Sequence, residues 1–177
     1  MGTVRDVGRG VARGFNRLQQ SGNLLLNEAG LISDEDAAKA IARDEQDAAS
    51  YPASVETNRG SQKIADAKGW GATALAILTN PRAVLTVVGE SLPASAAVQA
   101  SGAALGLGGR SPAGLMAGTF AGSYATEYSS TIFDTMRDAG VDLSNAEQVA
   151  AALNDDKFMA TARERGAKRG LPVAAFD

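Results

Sequence analysis

The sequence contains no cysteine and no histidine among its 177 residues, and aromatic residues make up only 5% of it. Without cysteine the chain forms neither disulfides nor thiolate metal sites. Without histidine it lacks the most common general base and the most common metal ligand. We therefore predict a protein that is not an enzyme, with no catalytic residues, no cofactor and no metal ion.

Charge is also scarce in the middle of the chain. Between residues 69 and 126 the charged side chains are Arg82, Glu90 and Arg110, and most other positions are Ala, Gly, Ser, Thr or aliphatic. The longest uncharged run, 91–109, is nearly long enough to span a bilayer. Pro93 and Gln99 interrupt it. We interpret this run as a helix that enters a membrane together with other helices, or only after a trigger.

The apolar periodicity and the helix end signals predict an all-α chain. We expect helices over 3–29, 34–49, 62–79, 82–92, 93–106, 112–138, 144–154 and 155–170. Ser33 is the expected N-cap of the second helix, and Ser144 with Glu147 forms a capping box. These helices group into four segments: a basic and an acid-capped helix (1–52), a linker (53–68), a low-charge Ala/Gly-rich block (69–140) and a C-terminal helical pair (141–177).

Small residues recur on one face of the sixth predicted helix region. Gly114, Gly118 and Gly122 are four residues apart, and Gly102 with Gly106 forms a second step of four. Such a stripe lets another helix approach closely, above all where water does not drive association. We predict that these five glycines form a helix-packing interface in an oligomeric tube or channel. The alternative is a soluble bundle that uses small residues at its helix crossings.

The first predicted helix is amphipathic and has a basic face. Arginine recurs every fourth residue on that face, at Arg5, Arg9, Arg13 and Arg17. The other side carries six apolar residues: Val4, Val7, Val11, Phe15, Leu18 and Leu25. We predict that the arginines contact anionic lipid, or DNA without sequence preference. Lipid is favoured because no aromatic residues interleave with the arginines for base stacking. The alternative is a solvated outer face.

Three further features have structural interpretations. Acidic residues cluster at Asp34, Glu35, Asp36, Asp44, Glu45 and Asp47. Acids at a helix start usually complement the helix dipole, and the alternation of a calcium loop is missing. The glycines before Arg110 lack the Lys-Ser/Thr of a phosphate-binding loop. Trp70, between two glycines, is either an interfacial anchor or an ordinary packing residue.

Two stretches resemble the internal virion proteins, or ejection proteins, of short-tailed bacteriophages. One is the low-charge block GWGATALAILTNPRAVLTVVGESLPASAAVQASGAALGLGG at 69–109. The other, at 138–177, is DAGVDLSNAEQVAAALNDDKFMATARERGAKRGLPVAAFD. It has a GVD turn, an Ala-rich helix, an acid pair and then the pattern A-x-x-R-G-x-x-R-G.

The resemblance implies a helical protein that is packaged inside the capsid and expelled into the host periplasm and inner membrane. Such a protein would form homo-oligomers and contact other virion, ejection or portal proteins, giving a channel through which DNA passes. Some ejection proteins cut peptidoglycan, but this chain has no matching glutamate motif. Two alternatives stay open: a soluble helical scaffold or portal-associated virion protein, and a membrane-active pore-forming module. Because residues 171–177 are an apolar tail, we also expect the sequence to continue in a longer protein.

Overall fold

A computed structural model describes residues 2–90 and 112–176, with the side chains of 4–69, 71–90 and 123–170. The described chain is helical and contains no strand, which confirms the all-α prediction. Its helices are α1 (Gly2–Glu28), α2 (Asp34–Ala49), α3 (Val55–Ala65), α4 (Trp70–Thr79), α5 (Pro81–Glu90), α6 (Pro112–Asp138), α7 (Ala146–Leu153) and α8 (Asp156–Phe176).

Most helix ends follow from the local sequence. The side chain of Ser33 accepts a hydrogen bond from the amide of Asp36, as predicted for the start of α2. At α8 the carboxylate of Asp155 accepts from the amides of Lys157 and Phe158, both at 3.0 Å. Gly140 ends α6 with a φ of +83°, a conformation that glycine adopts without steric penalty.

The predicted linker over 53–68 was wrong, because it contains α3. The side chain of Ser54 caps this helix by accepting from the amide of Thr57 at 3.2 Å. Residues 55–65 include few apolar residues, so the Ser54 cap is the clearest sequence signal of this helix. Consequently the helix predicted over 62–79 is in fact two, α3 and α4, divided at 66–69 where Gly69 has a φ of +82°.

Two other predicted boundaries were also wrong. The N-cap of α7 is Asn145, whose side chain accepts from two backbone amides, whereas Ser144 bonds Asp142. Helix α8 does not end at Gly170 but runs on to Phe176. Gly170 lies against the ring of Tyr124 on α6, and this tertiary contact outweighs the low helix propensity of glycine. The helix predicted over 93–106 lies outside the described residues.

One hydrophobic core joins α1, α2, α6, α7 and α8. Its largest fully buried side chains include Leu24, Ile41, Ile132, Met136 and Met159, each at most 1% exposed. The remaining members of the cluster are Ala37, Ala38, Phe133, Leu143, Val149, Ala152, Leu153 and Ala162. These residues come from three of the four predicted segments, so the segments pack on one another.

Helices α6 and α8 approach closely because glycines of α8 face tyrosines of α6. A Cβ at Gly166 would lie 3.0 Å from the carbonyl oxygen of Tyr128, and Gly170 faces Tyr124 in the same way. The hydroxyl of Tyr128 donates to Glu28 of α1 at 3.2 Å, and Arg163 donates to the same carboxylate at 2.8 Å. Burial and the Glu28 carboxylate together raise the pKa of Tyr128 to about 12.

The interface between α1 and α2 also contains buried polar pairs. Asp44 is only 3% exposed and accepts a hydrogen bond from the side-chain amide of Asn23 at 3.1 Å. Gln20 donates to Glu45 at 2.8 Å one turn away. Burial raises the pKa of the Asp44 carboxyl above its ordinary value, because desolvation disfavours the charged form.

We expect Gly166→Ala to lower the free energy of unfolding by about 1–3 kcal/mol, because the added methyl group forces α8 away from Tyr128. Gly22→Ala on α1 is the control, since a Cβ there has no neighbour within 4 Å. It should raise stability by up to about 1 kcal/mol through helix propensity. Urea unfolding followed by circular dichroism measures both. Equal effects of the two changes would contradict the close α6–α8 contact.

We expect Asp44→Asn to raise the free energy of unfolding at pH 7. The amide keeps an acceptor for Asn23 and removes the desolvated charge. Because the folded-state pKa of Asp44 is raised, the gain should shrink as the pH falls through that pKa. It should vanish below the unfolded-state value. Glu56→Gln, at an exposed position in the first turn of α3, should show no such pH-dependent gain. Urea unfolding of both variants between pH 3 and pH 7 tests this.

Candidate functional site

Helices α4 and α5 form an apolar pair with a sharp bend between them. The pair is bent by 90° at Asn80, whose side-chain amide donates to the carbonyl of Ala76 at 2.8 Å. Pro81 then starts α5. Among the described helices none has by itself the length and apolar character to cross a bilayer, whereas this bent pair meets both requirements when taken together.

Large apolar side chains of the pair are exposed. Leu75 is 63% exposed and Leu78 is 78% exposed, and the set continues on α5. We define the α4–α5 apolar surface by five exposed residues: Leu75, Ile77, Leu78, Leu85 and Val88. The only charged residues in the pair are Arg82 and Glu90. An exposed set of this kind is typical of a surface that binds another protein or a membrane.

The buried side of α5 is made of small residues. Ala83 and Thr86 are at most 2% exposed, and Gly89 is also buried. A Cβ at Gly60 of α3 would lie 2.9 Å from the Cβ of Ala83, so these two helices nearly touch. Helix α5 therefore buries these small residues and exposes Leu85 and Val88.

Helix α1, like α5, exposes large apolar side chains and buries small or polar residues. Val4 is 81% exposed and Phe15 is 52% exposed, although the sequence places both on its apolar face. The buried positions of its first five turns are polar or small: Asp6, Gly10, Gly14, Asn16 and Gln20. The amphipathic helix of the prediction is present, but its apolar face is only partly covered: Val4 and Phe15 are exposed, and the others are half-buried (Val7, Val11, Leu18 and Leu25).

The small faces of α1 and α5 pack directly on each other. A Cβ at Gly10 would lie 2.6 Å from the carbonyl oxygen of Thr86, and one at Gly14 would clash with the carbonyl of Glu90. From the other side, a Cβ at Gly89 would lie 3.0 Å from the carbonyl of Val7. Two helix backbones are thus in contact at three glycines, which only residues without a side chain allow.

The arginines of α1 lie along this same contact. Arg13, with 12% of its side chain exposed, donates from Nε to Glu90 at 2.8 Å and from Nη1 to the carbonyl of Tyr51 at 2.6 Å. Arg17, which is 67% exposed, reaches the other carboxylate oxygen of Glu90 at 3.2 Å.

The first two arginines of the row, Arg5 and Arg9, have no carboxylate partner among the described residues. Arg9 donates to the carbonyl of Pro52 at 3.4 Å, and Arg5 is exposed. The predicted basic face is therefore partly occupied within the chain, by one carboxylate and two carbonyls. Its contact with lipid or DNA stays a prediction.

The predicted glycine interface is only partly within the described residues. Gly114, Gly118 and Gly122 lie in α6, while Gly102 and Gly106 lie outside the described residues. Thr126, which continues the stripe by one step, is exposed. The oligomer interface at these five glycines stays a prediction.

Sequence reasoning missed the glycines that carry the α1–α5 contact. Gly10 and Gly14 have the same spacing of four as the stripe that we assigned to packing in α6, but we predicted no role for them in α1. The same spacing marks Gly166 and Gly170. Glu90 could have been identified as a partner of the arginines, since it is the single acid between residues 69 and 126.

The acidic cluster has structural partners. Asp34 accepts from Asn27 at 2.7 Å, Asp36 pairs with Ser33, and Glu45 accepts from Gln20 and Arg137. Within residues 2–90 and 112–176 no group of three acidic side chains is placed to hold a metal ion. Trp70 is the first residue of α4, at the entry to the apolar pair.

We expect Gly14→Ala to separate α5 from α1, because the new methyl group would overlap the carbonyl of Glu90. Unfolding should begin at a lower denaturant concentration, and the free energy of unfolding should fall by about 1–3 kcal/mol. Gly8→Ala is the matched control in the same helix, because a Cβ there meets nothing within 4 Å. Hydrogen exchange resolved by peptide should show faster exchange in α5 for Gly14→Ala alone. Unchanged exchange in α5 would contradict the backbone contact.

Comparison of the chain with protein-family models, with curated proteins and with solved structures gave no match.

Proposed function

We propose that this chain is a membrane-binding assembly protein, in the role that its resemblance to phage ejection proteins implies. It would leave the capsid, bind the host inner membrane through the α4–α5 apolar surface and assemble with further copies into part of a DNA-translocating channel. Other virion, ejection or portal proteins would be its neighbours in the particle.

The arrangement of α1 and α5 is the observation that carries this proposal. In a water-soluble bundle, helices bury leucine and valine and expose polar residues. Here Gly10, Gly14 and Gly89 are at the contact, while Val4 and Leu85 are exposed. Small residues at the helix contact and aliphatic residues outside are typical of helices that pack in lipid.

The rest of the chain supports a division of labour. The core around Ile41, Ile132 and Met136 holds α2, α6, α7 and α8 together by ordinary apolar burial. It would carry the α4–α5 apolar surface to a bilayer, and the glycine stripe on α6 would pack against a second copy.

A soluble virion scaffold is the second candidate, and the same core favours it. A scaffold would use the α4–α5 apolar surface to bind a protein partner and would ignore lipid. A pore-forming module shares the physical basis of the main proposal, but not its place in a virion.

We expect the purified protein to bind vesicles containing phosphatidylglycerol, and the double change L75S/L78S to weaken binding about a hundredfold. Each buried leucine contributes roughly 1.5–3 kcal/mol, and 1.4 kcal/mol is a factor of ten. Vesicle co-sedimentation measures the binding. Analytical ultracentrifugation with and without vesicles reports assembly.

The control is L31S/V55S. Leu31 is 70% exposed and Val55 is 61% exposed, and both lie outside the apolar pair. Binding of this control should equal that of the unchanged protein. A protein that stays monomeric and ignores anionic vesicles would overturn the membrane role and leave the scaffold.

A further inference from the structure

Glu90 is the point at which α5 is held to α1 by charge. Its carboxylate, 20% exposed, receives Arg13 on one oxygen and Arg17 on the other. Arg13 is fixed in turn by the carbonyl of Tyr51. Two guanidinium groups from one helix therefore converge on one anion from another.

Such a pair of guanidinium groups is a site for an anion in general. Arginine binds carboxylate and phosphate oxygens in the same geometry, with charge-assisted hydrogen bonds. Glu90 is thus an internal occupant of a site that a phosphate group fits equally well. The four-residue spacing of Arg13 and Arg17 keeps both groups on one side of α1 when the carboxylate leaves.

We propose that Glu90 is a latch on a lipid-headgroup site: the phosphate of an anionic lipid displaces its carboxylate from Arg13 and Arg17, and α5 then leaves α1 and enters the bilayer. This inference rests on the membrane role proposed above. It adds how that role is regulated and which chemistry triggers it.

Little apolar burial opposes the release of α5. Its contact with α1 is made by Gly89 and Thr86 against Gly10 and Gly14, and the side chains of Val7 and Val11 that reach Gly89 are only half-buried. The ion pair is therefore a principal tie between the two helices. The exchange of carboxylate for phosphate preserves the hydrogen bonds of both arginines. The free energy of this exchange at the arginines is therefore close to zero.

A bilayer fits this site better than a free phosphate ion. Leu85 is 44% exposed and Val88 is 50% exposed, on the turns of α5 that precede Glu90. A headgroup at Arg13 brings acyl chains to this region. Its phosphate then accepts hydrogen bonds from the arginines while the acyl chains cover the aliphatic side chains. Free phosphate offers no such cover.

The test compares Glu90→Gln with Glu127→Gln in the full chain. Glu127 is the matched control, because it is 22% exposed and pairs with Arg169 across α6 and α8, away from α5. Both changes remove one negative charge and one interhelical ion pair. The probe is a vesicle of phosphatidylglycerol and phosphatidylcholine, and the readouts are co-sedimentation and the emission of Trp70, the single tryptophan.

We expect Glu90→Gln to bind these vesicles about tenfold more tightly than the unchanged protein, because the binding-competent state is no longer held closed. Its Trp70 emission should shift to the blue at a lower fraction of anionic lipid. Glu127→Gln should behave as the unchanged protein. Inorganic phosphate alone should not shift the Trp70 emission of any of the three proteins.

The outcomes separate the two proposals. Equal binding by all three proteins would overturn the latch and leave the membrane role standing. Absence of binding by all three would overturn both. A blue shift of the Trp70 emission with inorganic phosphate alone would overturn the lipid headgroup as the occupant.

Discussion

The rest of the N-terminal architecture depends on backbone contact between α1 and α5. Gly10, Gly14 and Gly89 remove the side chains that would keep the two helices apart. Once the backbones touch, Arg13 reaches Glu90 and the carbonyl of Tyr51, and the turn before α3 is fixed. The same contact leaves part of the apolar surface of both helices uncovered, including Val4 and Phe15 of α1 and Leu85 and Val88 of α5. The exposed apolar surface is a consequence of how these helices meet.

The two halves of the described chain are stabilised by different forces. Around Ile132 and Met136, apolar burial holds α1, α2, α6, α7 and α8 in the way usual for soluble domains. Around α5, stabilisation comes from close packing of small residues and from charge. Such contacts are lost at little cost in buried apolar area, while the core remains intact. A protein with this division can expose an apolar helix pair and keep a folded body that carries it.

Much of the helical framework could be predicted from the sequence because it is local. The Ser33 cap, the acids that follow it and the break at Asn80-Pro81 each act within a few residues, and the structure has them where expected. The failures were of two kinds. Helix α3 has few apolar residues, so its polar sequence was interpreted as a linker. Helix α8 continues past Gly170 because Tyr124 of α6 packs against it.

By itself, then, the sequence determined the helix-rich character, the low-charge block and the amphipathicity of α1, since composition and periodicity express these directly. Only the tertiary structure decided which side of α1 faces inward. Apolar periodicity predicts that Val4 and Phe15 are buried, yet Gly10 and Gly14 are buried instead. The reason is that close backbone approach and the Arg13–Glu90 pair join residues 77 positions apart. No local pattern encodes such a contact, because it depends on which distant segment of the chain packs against α1.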